Sequence, residues 1–524
     1  MNHSSPRIAT FVVVGCTVLG SARGVFAAQH DSHEQAEAAT AASASASAED
    51  SSDEQSAAAT APEGIGPSSP PAPKPQAPTL PYPPTNAYTT DPDPAGLRAV
   101  VQLQLVILTG FLYYVTTVGL ADEWDIQYSW DTFSRKVTGQ AFGTDHNHFG
   151  TNFIGHPLGG TGYYWAARSN RFGVYQSFGF AVGGSLLWEY FGEVREVISM
   201  NDMVVTPLAG WAIGESVYQL GAFFDRSGPS TRNRVLGSIF APVKSFNDWY
   251  DDLELRRSAT DFPQNEWHRF DLRAGASFVV EDARRDGDEA SASEFRFRLR
   301  ERILRLPDFD SEGVHDFTFG DANASGIDLE GAVGSAGLTD LSVSTQVVLA
   351  GHYLRQARRV DDGVRGSGGL IGVGVGFEYA LHDYERANAS AVDRISSVQA
   401  PVMVFEHHLD FGELGVRTYA DLGPNFGGIR ALALDGYHGG SARLPAVTRK
   451  HGYYLGLGGH GKAELQLQWR ALEVGGRLHA QGYHMVDNLS APERVHIWDT
   501  SGHYRGYVGY IIPDSAGLIR ATLE

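Results

Sequence analysis

Apolar and polar positions alternate along the second half of the chain. From 270 to 280, Phe270, Leu272, Ala274, Ala276, Phe278 and Val280 are separated by Asp271, Arg273, Gly275, Ser277 and Val279. A period of two is that of a β-strand with one apolar face. Phe295, Phe297 and Leu299 alternate in the same way with Arg296, Arg298 and Arg300, and Ala463, Leu465, Leu467 and Trp469 with Glu464, Gln466, Gln468 and Arg470. Between them, Ile371, Val373, Val375, Phe377, Tyr379 and Leu381 alternate with glycines, Glu378 and Ala380. These runs reach about ten residues or more, the length of a tilted membrane strand rather than of a soluble one. Arginines on the second face belong in a wet or plugged lumen, because facing lipid each would cost roughly 2–4 kcal/mol at the bilayer midplane. Trp267, Tyr379, Tyr453 and Trp469 stand near strand ends, as interface girdles do. The pattern predicts an antiparallel β-barrel of outer-membrane type over 252–524, with about 10–12 strands. A periplasmic β-sandwich is the alternative, and the closing Ala521-Thr522-Leu523-Glu524 lacks the terminal aromatic residue common in outer-membrane barrels.

Upstream, over 97–251, the period is helical. The stretch 99–120 carries no charged residue and is long enough to cross a bilayer. Gln102, Gln104, Thr109, Thr116 and Thr117 also suit it to burial against protein. Apolar helical patterns follow at 150–169, 173–193 and 201–224, joined by turns short enough to imply packed neighbours. Gly155/Gly159 and Gly210/Gly214 are four apart, a spacing that lets helix backbones approach. Ser199, three residues before Asp202, suits a helix start, and Pro157 and Pro207 should each end or kink a helix. The expected fold is therefore α+β: a tether, a small apolar helical bundle, then the barrel.

Composition changes the picture mainly at the N-terminus. Residues 1–27 read as an export signal, with Arg7 before an apolar run and small residues before Ala28. The alternative is a lipoprotein signal acylated at Cys16, the only cysteine. From 28 to 96 the chain is Ala/Ser/Pro-rich and acidic, and without bulky aliphatic residues such a segment cannot offset its ordering entropy, so it reads as a disordered tether. A net charge of −20 leaves no basic surface for nucleic acid. One cysteine rules out a disulfide framework.

The polar residues of the helical block are few. His156 lies four after Asn152, Glu193 four after Glu189, and Tyr164, Arg168, Asp202, Thr206 and Glu215 complete the set. Four-residue spacing places side chains on one helical face, so His156 and the Glu189/Glu193 pair could converge between helices. One reading is an internally satisfied network, with Arg168 neutralising a glutamate. The other is an acid/base or metal site, since imidazole and two carboxylates can activate water or hold a divalent cation. No cofactor is expected on the first reading, and a divalent metal is the alternative on the second.

The runs NFIGHPLGGTGYYWAARSN (152–170), SLLWEYFGE (185–193) and SMNDMVVTPLAGWAIGE (199–215) resemble the core pattern of the domain-of-unknown-function family 3943 of Gram-negative envelope proteins. The resemblance implies a location in the cell envelope, and no catalytic assignment. The expected location is the outer membrane, and the expected partners are its lipid and the barrel assembly machinery. Two functions follow. The first is an outer-membrane protein with a structural or transport role, whose helices fill the lumen or pack on the barrel. The second is a membrane-embedded enzyme acting on an envelope lipid through His156, Glu189 and Glu193.

Overall fold

The computed structural model describes residues 88–90, 92–117, 129–144, 147–193, 197–259, 262–263, 266–282, 289–305, 312–335, 337–360, 363–383, 392–430, 448, 451–486, 497–512 and 519–523. The export signal, Cys16 and most of the tether lie outside the described residues.

The helical block begins with α1 (Gly96–Thr117) and the short α2 (Trp130–Val137), capped by Ser129. Strand β1 (Phe142–Gly143) precedes a π-helical turn, Thr151–Gly155, which runs into α3 (His156–Arg168). Helix α4 (Val174–Leu187) ends in a second π-helical turn, Trp188–Gly192. Strand β2 (Ile198–Ser199) pairs in parallel with β1 and leads into α5 (Met200–Arg226). Helices α6 (Thr231–Phe240) and α7 (Pro242–Tyr250) complete the block. Ser199 caps α5, its hydroxyl accepting from the Asp202 N–H, which leaves one fewer orphan donor at the helix start. Pro157, expected to end or kink a helix, follows directly on the π-helical turn inside a helical stretch that runs unbroken from 149 to 168. Pro207, expected to end or kink its helix, lies inside a continuous α5.

The barrel is built from β3 (Glu266–Asp282), β4 (Glu289–Arg305), β5 (Gly313–Phe319), β6 (Ala324–Gly334), β7 (Gly337–Val360), β8 (Gly363–Asp383), β9 (Val392–Phe411), β10 (Leu414–Arg430), β11 (Tyr454–Trp469), β12 (Leu472–Met485), β13 (Trp498–Ile511) and β14 (Ile519–Leu523). Strands β5 and β6 both pair with β7, one after the other, and act as one stave. The barrel therefore closes with 11 staves. Successive staves are antiparallel, but β14 meets β3 in parallel, Ile519 opposite Leu272. An odd number of alternating strands can close in no other way. The hairpins after β9 and β11 need only Gly412-Glu413 and Arg470-Ala471, whereas three connections at the other rim, 384–391, 431–453 and 486–497, are longer. Gly412 has φ +68°, which a two-residue hairpin turn demands.

Ion pairs between strands that are not neighbours show which face is the lumen. Glu464 on β11 accepts Arg300 Nη1 of β4 at 2.7 Å, Arg477 on β12 reaches Glu330 of β6 at 2.5 Å, and Lys462 on β11 reaches Glu378 of β8 at 2.8 Å. These side chains, with Arg296 and Arg298, all occupy the charged positions of the alternation. Two apolar clusters share that inner face. Ile395, Ile429, Tyr454, Tyr483 and Met485 lie toward the long-connection rim, and Leu304, Val348, Tyr353, Leu370, Val402 and Val404 toward the hairpin rim. Between them the charged layer encloses a cavity of about 160 Å³.

The other face of each strand points outward. There Leu272, Phe278, Leu299, Ile371, Phe405, Leu422, Leu465, Leu478 and Val508 are exposed. Part of this outer wall is covered by the helical block. Val205, Ala209 and Ala212 of α5 share a core with Val347, Val375, Phe377 and Val398, and Phe223 shares one with Ile303, Phe270 and Ile327. Every one of these strand residues occupies an outward position. The block thus packs on the outside of the barrel and does not plug it. A plug and an outer-wall pack both need small residues and apolar faces, so the sequence left the side open. Tyr453, read as a girdle residue, is instead fully buried against Phe149 and Phe153 of the block. Exposed aromatics at the hairpin rim are Phe411, Trp469 and Tyr510.

Candidate functional site

Close approach of α3 and α5 brings the polar residues together. A Cβ on Gly160 would fall 1.9 Å from Thr206 O, and one on Gly210 would fall 2.4 Å from the Gly160 carbonyl. Only glycine fits at this crossing, and the long side chains on either side of it meet across the helix pair.

The first polar group is built on Glu215, whose side chain is fully buried. Arg168 donates from Nε to Oε2 at 2.8 Å and from Nη2 to Oε1 at 3.1 Å, while the Tyr164 hydroxyl donates to Oε2 at 2.5 Å and Gln219 Nε2 to Oε1 at 2.8 Å. The Arg168 guanidinium also lies 4.5 Å from the Tyr218 ring centroid and donates to the Phe172 carbonyl. Both charges are therefore held in the planar, two-pronged geometry that offsets the loss of water.

The second group lies around the two π-helical turns. The His156 N–H donates to Thr151 O and the Glu193 N–H to Trp188 O, five residues back in each case. Such turns insert one extra residue and often mark functional positions. They also send residues four apart to different elements. Asn152 donates to the Tyr453 hydroxyl of the barrel at 3.1 Å, whereas His156 Nε2 stands 3.6 Å from Asp202 Oδ2 on α5. Glu189 Oε2 accepts the Ser199 N–H at 2.7 Å, and Glu193 Oε1 accepts Trp188 Nε1–H at 2.8 Å. Asn201 Nδ2 donates to Asp202 Oδ1 at 3.0 Å. Thr206 is buried at the α3–α5 crossing.

Of the sequence candidates, Tyr164, Arg168 and Glu215 thus form one cluster, and His156 and Asp202 one pair. Glu189 and Glu193 bond to residues of their own neighbourhood, and the glutamate that Arg168 neutralises is Glu215. The sequence did not disclose Lys136, Asn201 and Gln219. Lys136 is almost fully buried on α2 and donates to the backbone carbonyls of Glu189 and Glu193 at 2.8 and 2.6 Å. The only signal for it is the Ser129/Thr132 start of a short helix. Among the described residues no group of three or more His, Cys, Asp or Glu side chains is placed to hold a metal ion.

A third polar belt lies at the end of the block nearest the start of β3. Arg98 holds Asp251 at 2.7 and 2.6 Å, Arg171 holds the same carboxylate at 2.7 Å, and Lys244 bridges Asp225 and Asp248 at 2.6 and 2.7 Å. Arg226 at the end of α5 reaches Glu266, the first residue of β3.

No curated protein and no solved structure matches the chain. Residues 141–243 match the family model described as Domain of unknown function (DUF3943). That span runs from the residue before β1 into α7 and contains all nine candidate polar residues. The part of the chain that matches the DUF3943 model is therefore the helical segment seated on the outer wall of this β-barrel.

Proposed function

We propose that this protein is an integral outer-membrane β-barrel that works as an envelope scaffold, carrying its DUF3943 domain against the outside of the wall. The supporting observation is the distribution of the two faces. Outward positions away from the helices are apolar and exposed, while the inward charges are paired across a lumen bounded by apolar clusters on both sides. An exposed apolar band of this extent is a liability in water and the normal surface of a barrel in lipid. The lumen does not read as an open channel, because cross-barrel pairs such as Arg300–Glu464 span it.

On this reading residues 1–27 direct export, the assembly machinery inserts the barrel, and outer-membrane lipid is its immediate partner. The full chain expressed in a Gram-negative host should fractionate with the outer membrane and migrate differently on gels before and after heating, since closed barrels resist unfolding in cold detergent. Recovery as a soluble periplasmic monomer overturns the proposal. In planar bilayers the purified protein should show no steady porin-like conductance.

A second reading, an enzyme acting on an envelope lipid, draws on the His156–Asp202 pair, because a carboxylate beside an imidazole can orient and charge it for proton transfer. Asp202→Asn should then leave the barrel assembled and change the envelope lipid profile. An unchanged profile leaves the pair as part of the α3–α5 packing.

A further inference from the structure

We infer that lipid acyl chains cover the helical block as well as the barrel, so that α1 and the outward faces of α3 and α4 continue the membrane-embedded surface of the wall. This rests on the barrel reading above and extends it to a part of the molecule that would ordinarily be placed in the periplasm.

Helix α1 carries the argument. Its 22 residues span about 33 Å, close to the roughly 30 Å of a hydrocarbon core, and it has no charged side chain after Arg98. One face is buried: Ala99 and Leu103 pack inward, Val106 meets α3 at Gly162, and Gly110 lies against Trp188. The opposite face is apolar and roughly half exposed, with Val101 at 49%, Leu105 at 55%, Leu108 at 51% and Leu112 at 55%. Leu158 on α3 and Tyr175 on α4 are exposed in the same way. The block that carries this face is itself packed on the apolar outward wall.

The polar details of α1 fit lipid. The exposed Thr109 and Thr116 hydroxyls donate to the Leu105 and Leu112 carbonyls of the same helix, both at 2.8 Å, which leaves no donor looking for water. Gln104 is the polar exception on that face, and it lies six residues, or about 9 Å, from Arg98 at the charged end. That end carries the Arg98–Asp251–Arg171 group, and beside it Trp249 and Tyr250 are exposed, as aromatic residues at a membrane–water boundary are. The same end approaches the hairpin rim of the barrel through Arg226–Glu266, so helix and barrel share one polar level. Inside the block, the α3–α5 crossing at Gly160 and Gly210 uses the small-residue packing of membrane helices.

The test places single nitroxide labels in the full chain carrying C16S, reconstituted in phosphatidylcholine/phosphatidylglycerol vesicles. Labels sit at Leu105→Cys and Leu108→Cys on α1, at Leu465→Cys on the barrel wall, and at Glu413→Cys on a hairpin as the aqueous reference. Collision with molecular oxygen and with a water-soluble nickel chelate is then measured. The α1 labels should match Leu465→Cys, rich in oxygen and protected from nickel, with Glu413→Cys the reverse. If the α1 labels meet nickel while Leu465→Cys does not, the inference falls and the barrel stands. If all of them meet nickel, both fall. As an independent check, Leu108→Lys should lower membrane-assembled protein by about tenfold or more, whereas Leu108→Phe and Gln104→Leu should not. Normal assembly of Leu108→Lys would also overturn the inference.

Discussion

Gly160 sets the distance between α3 and α5, and its neighbour Gly159 does not. A methyl group on Gly160 would overlap the Thr206 carbonyl, while nothing lies within 4 Å of the corresponding position on Gly159. Gly160→Ala should therefore force the helices apart and lower the melting temperature of the assembled protein, whereas Gly159→Ala, on a helix that favours alanine, should leave stability unchanged or increase it by up to about 1 kcal/mol. Glu215→Gln leaves the buried Arg168 guanidinium without its countercharge and should destabilise by about 3–5 kcal/mol, read as the loss of assembled protein on denaturant titration. Asp251 answers to pH. Hydrogen bonds from Arg98, and then Arg171, depress its carboxyl to about 2. A depressed acid contributes stability above its unfolded value of roughly 4 and loses it as the pH falls from there toward about 2. Stability should fall over that window, and the fall should be smaller in Asp251→Asn. The effect is small, because this carboxylate is partly in water.

At the scale of elements, alternation made the strands legible, because a period of two has one physical cause: a wall with two different sides. Arg296, Arg298 and Arg300 face inward as the pattern required, and β3, β4, β8 and β11 each contain the run that announced them. Three helices, α3, α4 and α5, fall where apolar periodicity put them. What periodicity could not convey was which side of the wall they occupy, since α5 meets Val347 and Phe377 with the same Ala/Gly/Val surface a plug would use. Pairings were also hidden. Glu215 lies 47 residues from Arg168, and the π-helical turns redirect Asn152 and His156 to different elements, so a four-residue spacing stopped meaning a shared partner. Lys136 was invisible because its partners are backbone carbonyls, which no side-chain pattern reveals. The cap at Ser199 was legible, and Ser199→Ala should cost about 1 kcal/mol by freeing the first turn of α5, measurable by chemical denaturation.

Across the whole molecule, pairs that bridge the lumen tie together staves far apart in the wall. Glu464 of β11 receives both Arg298 and Arg300 of β4, so Glu464→Gln should lower the temperature at which the barrel loses its compact gel mobility more than an outward change such as Leu465→Val. The parallel seam between β14 and β3 has another consequence. In a wall with an even number of staves, the polypeptide enters and leaves by the same rim. Here the chain comes in along β3 from the hairpin rim and is still heading away from that rim along β14. On the outer-membrane reading the wall thus acts as a one-way stitch: the charged belt beside Glu266 lies at the rim where the wall begins, and the last strand heads for the opposite rim. A protease or label applied to either side alone would read a different half of the molecule.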